Sequence, residues 1–182
     1  IHPLLATRGV PGTHDTALAI ATIDALRAAT DGSVIQLPRF DKAIDDLFAV
    51  DTWPGFGGRA DLIIIEGWFL GAEPQLDSEL ETAVNALEEN EDGEGLWRGY
   101  ANAQLGGRYQ RWFAYIDHLI LFTGDGEMRA LIEAVQRRGV RGTVVSSLKT
   151  SPPMVSDDLR RQADSFVDFA DLKEAVERPR RQ

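Results

Sequence analysis

A chain of 182 residues with a net charge of −10 and no cysteine cannot form disulfides, thiolate metal centres or a thiol nucleophile. That charge also disfavours broad attraction to nucleic acid or anionic membrane. Its composition, 43% hydrophobic and 26% charged, is that of a soluble globular protein with one good core.

No apolar run approaches the roughly 18–20 residues of a membrane span. No signal peptide is visible, so a cytoplasmic location without a membrane partner is expected. The first residue is Ile, and the expectation is of a fragment, a processed product or an engineered piece.

Residues 1–12 read as a loop punctuated by Pro3, Gly9, Pro11 and Gly12, with Arg8 its only charge. Thr13 is the expected N-cap of the helix that follows, with His14 and Asp15 beside it. Leu18, Ile20, Ile23 and Leu26 give that helix its apolar stripe, and Asp31-Gly32 ends it. Residues 33–37 read as a strand, with Asp41 and Lys42 just past its carboxyl end. Residues 41–58 are irregular.

The four aliphatic residues 62–65 predict a strand buried on both faces of a parallel sheet. Glu66-Gly67 stops the run. Ligands of open α/β sheets sit outside the carboxyl ends of strands, so Glu66 is a candidate for chemistry, with a turn cap as the alternative. A helix is expected from Asp77 or Ser78 through Leu80, Val84 and Leu87, then an acidic turn at 90–95. A second helix, 96–115, carries Trp97, Tyr100, Leu105, Tyr109, Trp112 and Phe113, with Gly106-Gly107 bending it. Helical spacing makes these aromatics core, with a binding face as the alternative.

Residues 118–122 read as a strand closing on Thr123-Gly124-Asp125-Gly126-Glu127. A helix through Leu131, Ile132 and Val135 ends at Gly139. Strands at 143–147 and 166–169 flank a short helix capped by Ser156. A helix at 172–177 and a disordered tail, 179–182, complete the chain. The Arg137, Arg138, Arg141, Arg160 and Arg161 side chains suit solvated helix ends, with phosphate contact as the alternative.

Strands alternating with helices predict a three-layer α/β/α fold. Its sheet would be mostly parallel, of about five strands, and Rossmann-like or P-loop-like. A single domain, 1–182, is expected, with no internal repeat.

Several segments in order resemble the glycerate kinase family, P-loop kinases related to uridine kinase and phosphoribulokinase. They are Thr7-Arg8-Gly9-Val10-Pro11-Gly12-Thr13-His14-Asp15, Leu37-Pro38-Arg39-Phe40-Asp41-Lys42, Glu66-Gly67-Trp68-Phe69-Leu70-Gly71, Asn85-Ala86-Leu87-Glu88 and Trp97-Arg98. The resemblance covers residues 1–116. It implies ATP- and Mg²⁺-dependent phosphoryl transfer to a hydroxyl of glycerate. It further implies that Arg8, Thr13, His14, Asp15, Asp41 and Lys42 serve an anionic substrate, with Glu66 near metal or substrate. The Gly-x-x-x-x-Gly-Lys-Ser/Thr loop that holds ATP phosphates occurs nowhere in the 182 residues. Kinase ancestry without ATP turnover by this chain alone is the leading expectation.

A second resemblance spans residues 117–178. Leu119-Ile120-Leu121-Phe122-Thr123-Gly124-Asp125-Gly126-Glu127-Met128, Val144-Val145-Ser146-Ser147 and Phe166-Val167-Asp168 resemble the terminal half of an NYN domain, a PIN-like nuclease family. That family's clustered carboxylates bind Mg²⁺ or Mn²⁺ to activate water against RNA. Asp125 and Glu127 are the corresponding ligand candidates, and Asp125 the catalytic one. A turn without metal is the alternative.

Two families meeting near one strand suggest a recombined chain, natural or engineered. In that picture Glu66 and Asp125 end adjacent strands on one sheet edge. An exposed edge would favour a homo-oligomer. The remaining alternatives are a metal-dependent ribonuclease, with RNA as partner against the net charge, and a folded scaffold with no activity.

Overall fold

The computed structural model describes residues 2–176, and side chains as far as Leu172. The tail 179–182 lies outside the described residues. The chain gathers into two compact units, Ile1–Leu70 with Pro74–Trp112, and Gly71–Glu73 with Phe113–Gln182.

In the first unit, α1 is Thr16–Ala28, and the N-cap is Asp15, whose carboxylate accepts from the Leu18 N–H at 2.9 Å. Thr13, the expected cap, lies two residues too early. Its hydroxyl donates to the Val10 carbonyl at 2.7 Å and accepts from the Gly9 N–H at 2.8 Å, which closes the preceding turn. A short polar side chain can serve either purpose, and Asp15 is the one adjacent to the first helical residue.

β1, Val34–Gln36, pairs antiparallel with β4, Gly55–Gly57. Between them β2, Phe40–Asp41, and β3, Asp46–Leu47, form a hairpin whose turn places Asp45 at a φ of 54°. The stretch expected to be irregular is therefore two small antiparallel ribbons.

Residues 62–65 have no regular secondary structure and pair with no strand, and Leu62 and Ile64 are 75% and 81% exposed. The expected buried central strand is not present. Aliphatic composition gives a segment β propensity, but a strand exists only where a neighbour takes up its backbone groups. The helix expected from Asp77 is likewise a single 3₁₀ turn, Asp77–Glu79. Only α2, Ala86–Glu91, is helical, capped by the Asn85 side chain on the Glu88 N–H at 3.0 Å.

α3, Leu96–Gln104, continues through a π-helical turn, Leu105–Tyr109, into α4, Gln110–Phe113. The π turn falls on Gly106-Gly107, where low helix propensity admits the extra residue. Before α3, the Asp92 side chain is 1% exposed and accepts from the N–H groups of Trp97 and Arg98 at 2.7 and 3.0 Å. The buried Arg98 guanidinium donates to the Asp92 carboxylate at 3.2 Å and to the Leu80 carbonyl at 2.7 Å. This ion pair ties the stretch from Leu80 through α2 to the α3 helix.

The second unit holds a parallel sheet of β5, His118–Phe122, β6, Arg141–Ser146, and β7, Ser165–Asp168, in the order β5-β6-β7. Its helices are α5, Arg129–Arg137, α6, Asp157–Gln162, and α7, Phe169–Val176. Val144, Val145, Ile132, Val135 and Leu159 form the core. Ser156 caps α6 through the Leu159 N–H, and Gly139, at a φ of 78°, follows α5. The α/β class is as expected. The parallel sheet has three strands and not about five, because 33–37 is drawn into an antiparallel ribbon and 62–65 has no strand partner. Among the described residues no helix is long and apolar enough to cross a membrane.

Two outcomes follow from this packing. Ile64→Thr should change unfolding free energy by less than about 0.5 kcal/mol, as an exposed site does. Leu159→Ala, at a fully buried residue, should cost on the order of 2–5 kcal/mol in urea unfolding.

The Asp92 carboxyl is pushed up by burial, but the N–H groups of Arg98 and Trp97, the Arg98 charge and His2 outweigh it and hold it below the usual range. A depressed folded value adds stability at pH above the unfolded value of 3.8, and that stability is lost as pH falls through the folded value. Asp92→Asn should lose on the order of 3 kcal/mol at neutral pH and show a shallower acid limb in pH-dependent unfolding.

Candidate functional site

The first unit contains an open cleft of about 1110 Å³, somewhat above the roughly 300–1,000 Å³ of small-ligand sites. Arg8, Thr13, His14, Asp15 and Glu66 all line it. Its other walls include His2, Phe40, Asp45, Asp46 and Tyr100. Asp41 and Lys42 lie elsewhere: the Asp41 carboxylate accepts from the Ala43 N–H at 2.8 Å, and Lys42 is exposed in the β2–β3 turn.

Arg8 sits on the cleft wall with its guanidinium 4.0 Å from the Phe40 ring centroid. Its backbone N–H donates to the Asp45 carboxylate at 3.0 Å. Stacking fixes the plane of the guanidinium and leaves its edge for an oxyanion. Glu66 is exposed. It follows a segment that is not a sheet strand, so the expected shared edge with Asp125 is not formed.

The loop from Gly9 to Asp15 is held by a residue that helical spacing assigned to the core, with a binding face as the alternative. Tyr109 is fully buried, and its hydroxyl accepts from the N–H groups of Gly12 and His14 at 2.9 and 3.2 Å. It also lies 2.9 Å from His14 Nδ1. Phe69 contacts both rings, with centroid separations of 5.7 Å to His14 and 5.6 Å to Tyr109. The Trp68 indole N–H donates to the Gly9 carbonyl at 3.2 Å. Burial lowers the His14 pKa, the Arg8 charge lowers it further, and the Val10 carbonyl offsets part of this. The helical spacing of Tyr109 marked it as buried. Nothing in the sequence marks its hydroxyl as the acceptor for a loop some hundred residues away.

Asp125 and Glu127 belong to the second unit, after β5. Asp125 is the N-cap of a 3₁₀ turn, Gly126–Met128, accepting from the Glu127 N–H at 3.0 Å. Asp168, at the end of β7, accepts from Ala170 and Leu148 N–H groups at 2.8 and 3.0 Å, and these hold its carboxyl below the usual range. Among the described residues no three His, Asp or Glu side chains are grouped to hold a metal ion. Around Asp125 the carboxylate is engaged by the Glu127 N–H, and no ligand set of three is formed there among the described residues. Residues 1–182 contain no Gly-Lys step of a phosphate loop.

Residues 109–172 match the NYN domain family. The chain is 33% identical over 119 residues to a D-glycerate 3-kinase, chloroplastic, of Arabidopsis thaliana, covering 63% of this chain and 24% of that protein. It is 35% identical over 86 residues to the probable ATP-dependent kinase TDA10 of Saccharomyces cerevisiae, covering 40% and 27%. It is 31% identical over 65 residues to the low amplitude and bright protein LabA of Synechococcus elongatus, covering 36% and 33%. The chain thus spans between a quarter and a third of the length of these relatives. No solved structure matches. Both resemblances seen in the sequence, to glycerate kinases and to NYN domains, are found by these comparisons.

Gly12 offers a local check. Its φ is +102°, and an added Cβ would lie 2.6 Å from Tyr100 Cε1 and 3.0 Å from Gln104 Cγ. Gly12→Ala should cost on the order of 1–3 kcal/mol in chemical unfolding. Gly9→Ala, with nothing within 4 Å of its Cβ, should cost much less.

Proposed function

We propose that residues 1–116 are the acceptor-substrate part of a glycerate-kinase-like phosphoryl transferase, and that this chain by itself binds a small anionic hydroxy acid without turning over ATP. The observation that carries this is the gathering of Arg8, Thr13, His14, Asp15 and Glu66 around one cleft. Their chemistry suits glycerate: the Arg8 guanidinium pairs with a carboxylate, and the Glu66 carboxylate accepts from a hydroxyl. Similarity to a D-glycerate 3-kinase and to a probable ATP-dependent kinase supports the reading. The chain's cysteine-free composition fits cytoplasmic residence, which belongs to the same proposal.

A second reading rests on the NYN match to residues 109–172, a metal-dependent ribonuclease. The capping role of Asp125 and the net charge of −10 weigh against it. The two matches together support a recombined origin. The β5 edge of the sheet, unpaired among the described strands, supports self-association.

Thermal unfolding tests the first reading. Glycerate or phosphoglycerate should raise the melting temperature, ATP alone should leave it unchanged, and Arg8→Gln should abolish the rise. The absence of any rise with either acid removes the proposal. Cleavage of RNA with Mn²⁺, lost in Asp125→Asn, would establish the second reading instead.

A further inference from the structure

From its backbone conformation and its contact with Arg8, we infer that Asp45 is a positioning residue of the cleft: it pins the main chain of Arg8 and leaves the guanidinium free for a carboxylate ligand. This rests on the proposed acceptor role of the cleft. Asp45 is the one non-glycine residue with a positive φ among the described residues, at 54°. A Cβ makes that left-handed region costly, Asp and Asn tolerate it better than most, and glycine occupies it freely. Glycine would therefore close the β2–β3 turn at least as well. What glycine lacks is the carboxylate. Both Asp45 oxygens face the Arg8 N–H, at 3.0 and 3.4 Å, across 37 positions of sequence. Asp45 and Arg8 both line the cleft.

The direction of this contact matters. An Asp beside an Arg commonly pairs with the guanidinium and neutralises it. Here the carboxylate is taken by the main chain, and among the described residues the Arg8 guanidinium forms no ion pair. It lies over the Phe40 ring, 4.0 Å from the centroid, on β2 of the same hairpin. The hairpin thus holds Arg8 at two points, its N–H and the face of its side chain, and occupies neither with an opposing charge on the fork. The preceding Thr7 N–H has no partner among the described residues, so the Asp45 contact is the anchor of this part of the loop. A cation whose own chain is already fixed loses less freedom when it takes a ligand, and affinity gains by that amount.

Calorimetric titration of the full chain with glycerate tests this in three forms: unsubstituted, Asp45→Gly and Asp45→Asn. Glycine keeps the turn and removes the acceptor. Asparagine keeps the turn and an acceptor oxygen and removes the charge. Asp45→Gly should weaken glycerate by roughly three- to tenfold, the scale of one lost hydrogen bond. Its unliganded melting temperature should stay within about 3 °C of the unsubstituted chain, because relieved strain offsets the lost bond. Asp45→Asn should bind glycerate at least as tightly as the unsubstituted chain. Unchanged affinity in Asp45→Gly overturns the inference. A loss in Asp45→Asn as large as in Asp45→Gly overturns it by assigning the effect to charge. A melting temperature that falls well beyond that margin in Asp45→Gly overturns it by making Asp45 a prop of the fold.

Amide hydrogen exchange reads the anchor without ligand. The Arg8 N–H should exchange more slowly than the Thr7 N–H, and should speed up in Asp45→Gly but not in Asp45→Asn. An Arg8 N–H that exchanges alike in the unsubstituted chain and in Asp45→Gly overturns the hold on Arg8. If glycerate binds none of the three forms, the acceptor reading of the cleft fails, and exchange alone decides whether Asp45 anchors Arg8.

Discussion

The cleft depends on one buried oxygen. A loop that crosses a protein's interior must find partners for its N–H groups, and each group left bare costs about 1–3 kcal/mol. The Tyr109 hydroxyl meets that need for Gly12 and His14 together. It does so only because its ring is held by Phe69 and Trp112, at centroid separations of 5.6 and 6.1 Å, contacts each worth about 0.5–1.5 kcal/mol. The positive φ of Gly12 follows from the same closure, since the loop must turn back under Tyr100 with no room for a Cβ. Removing the oxygen would loosen the loop, the histidine and one wall of the cleft at once.

A second node supports the first from the other end of α3. The Asp92–Arg98 pair is almost fully desolvated, and such pairs often add little net stability over an apolar substitute. What this pair supplies is direction. Arg98 donates to the carbonyls of Leu80 and Asp92 as well as to the carboxylate, so a segment with little regular structure has one way to pack. The helix that carries Tyr109 onward through the π turn is thereby fixed at its start.

How much of this could be read from residues alone varies with the range of the interaction. In the second unit, β5, β6 and β7, the Ser156 cap and the Gly139 stop were all legible, because alternation and capping are decided within a few residues. In the first unit the same rules misled wherever a partner was required. The 62–65 run has the composition of a buried strand, yet Leu62 and Ile64 face water, since a strand is a property of a pair. Thr13 was the expected cap, but it closes the preceding turn and Asp15 caps the helix. Lys42 and Asp41 look like Arg8 on paper, but the β2–β3 hairpin carries them out of the cleft. The role of Tyr109 joins positions 12, 14 and 109, and no local pattern encodes a separation of that size.

The charge of the cleft bears on what it can hold. Four carboxylates line it against a single arginine, which at first sight repels a hydroxy acid. Three of the four are already committed to backbone N–H groups: Asp15 to Leu18, Asp45 to Arg8 and Asp46 to Leu47. Hydrogen bonding of this kind spreads a carboxylate's charge into the peptide dipoles, and an open cleft screens the rest, so that a bare pair 4 Å apart in water interacts by only about 1 kcal/mol. The balance a ligand meets is then set by Arg8, whose plane is fixed on Phe40, and by Glu66. Of the four, Glu66 alone takes no backbone N–H among the described residues. A carboxylate ligand needs the first, and a hydroxyl on the same small molecule is what the second can still accept.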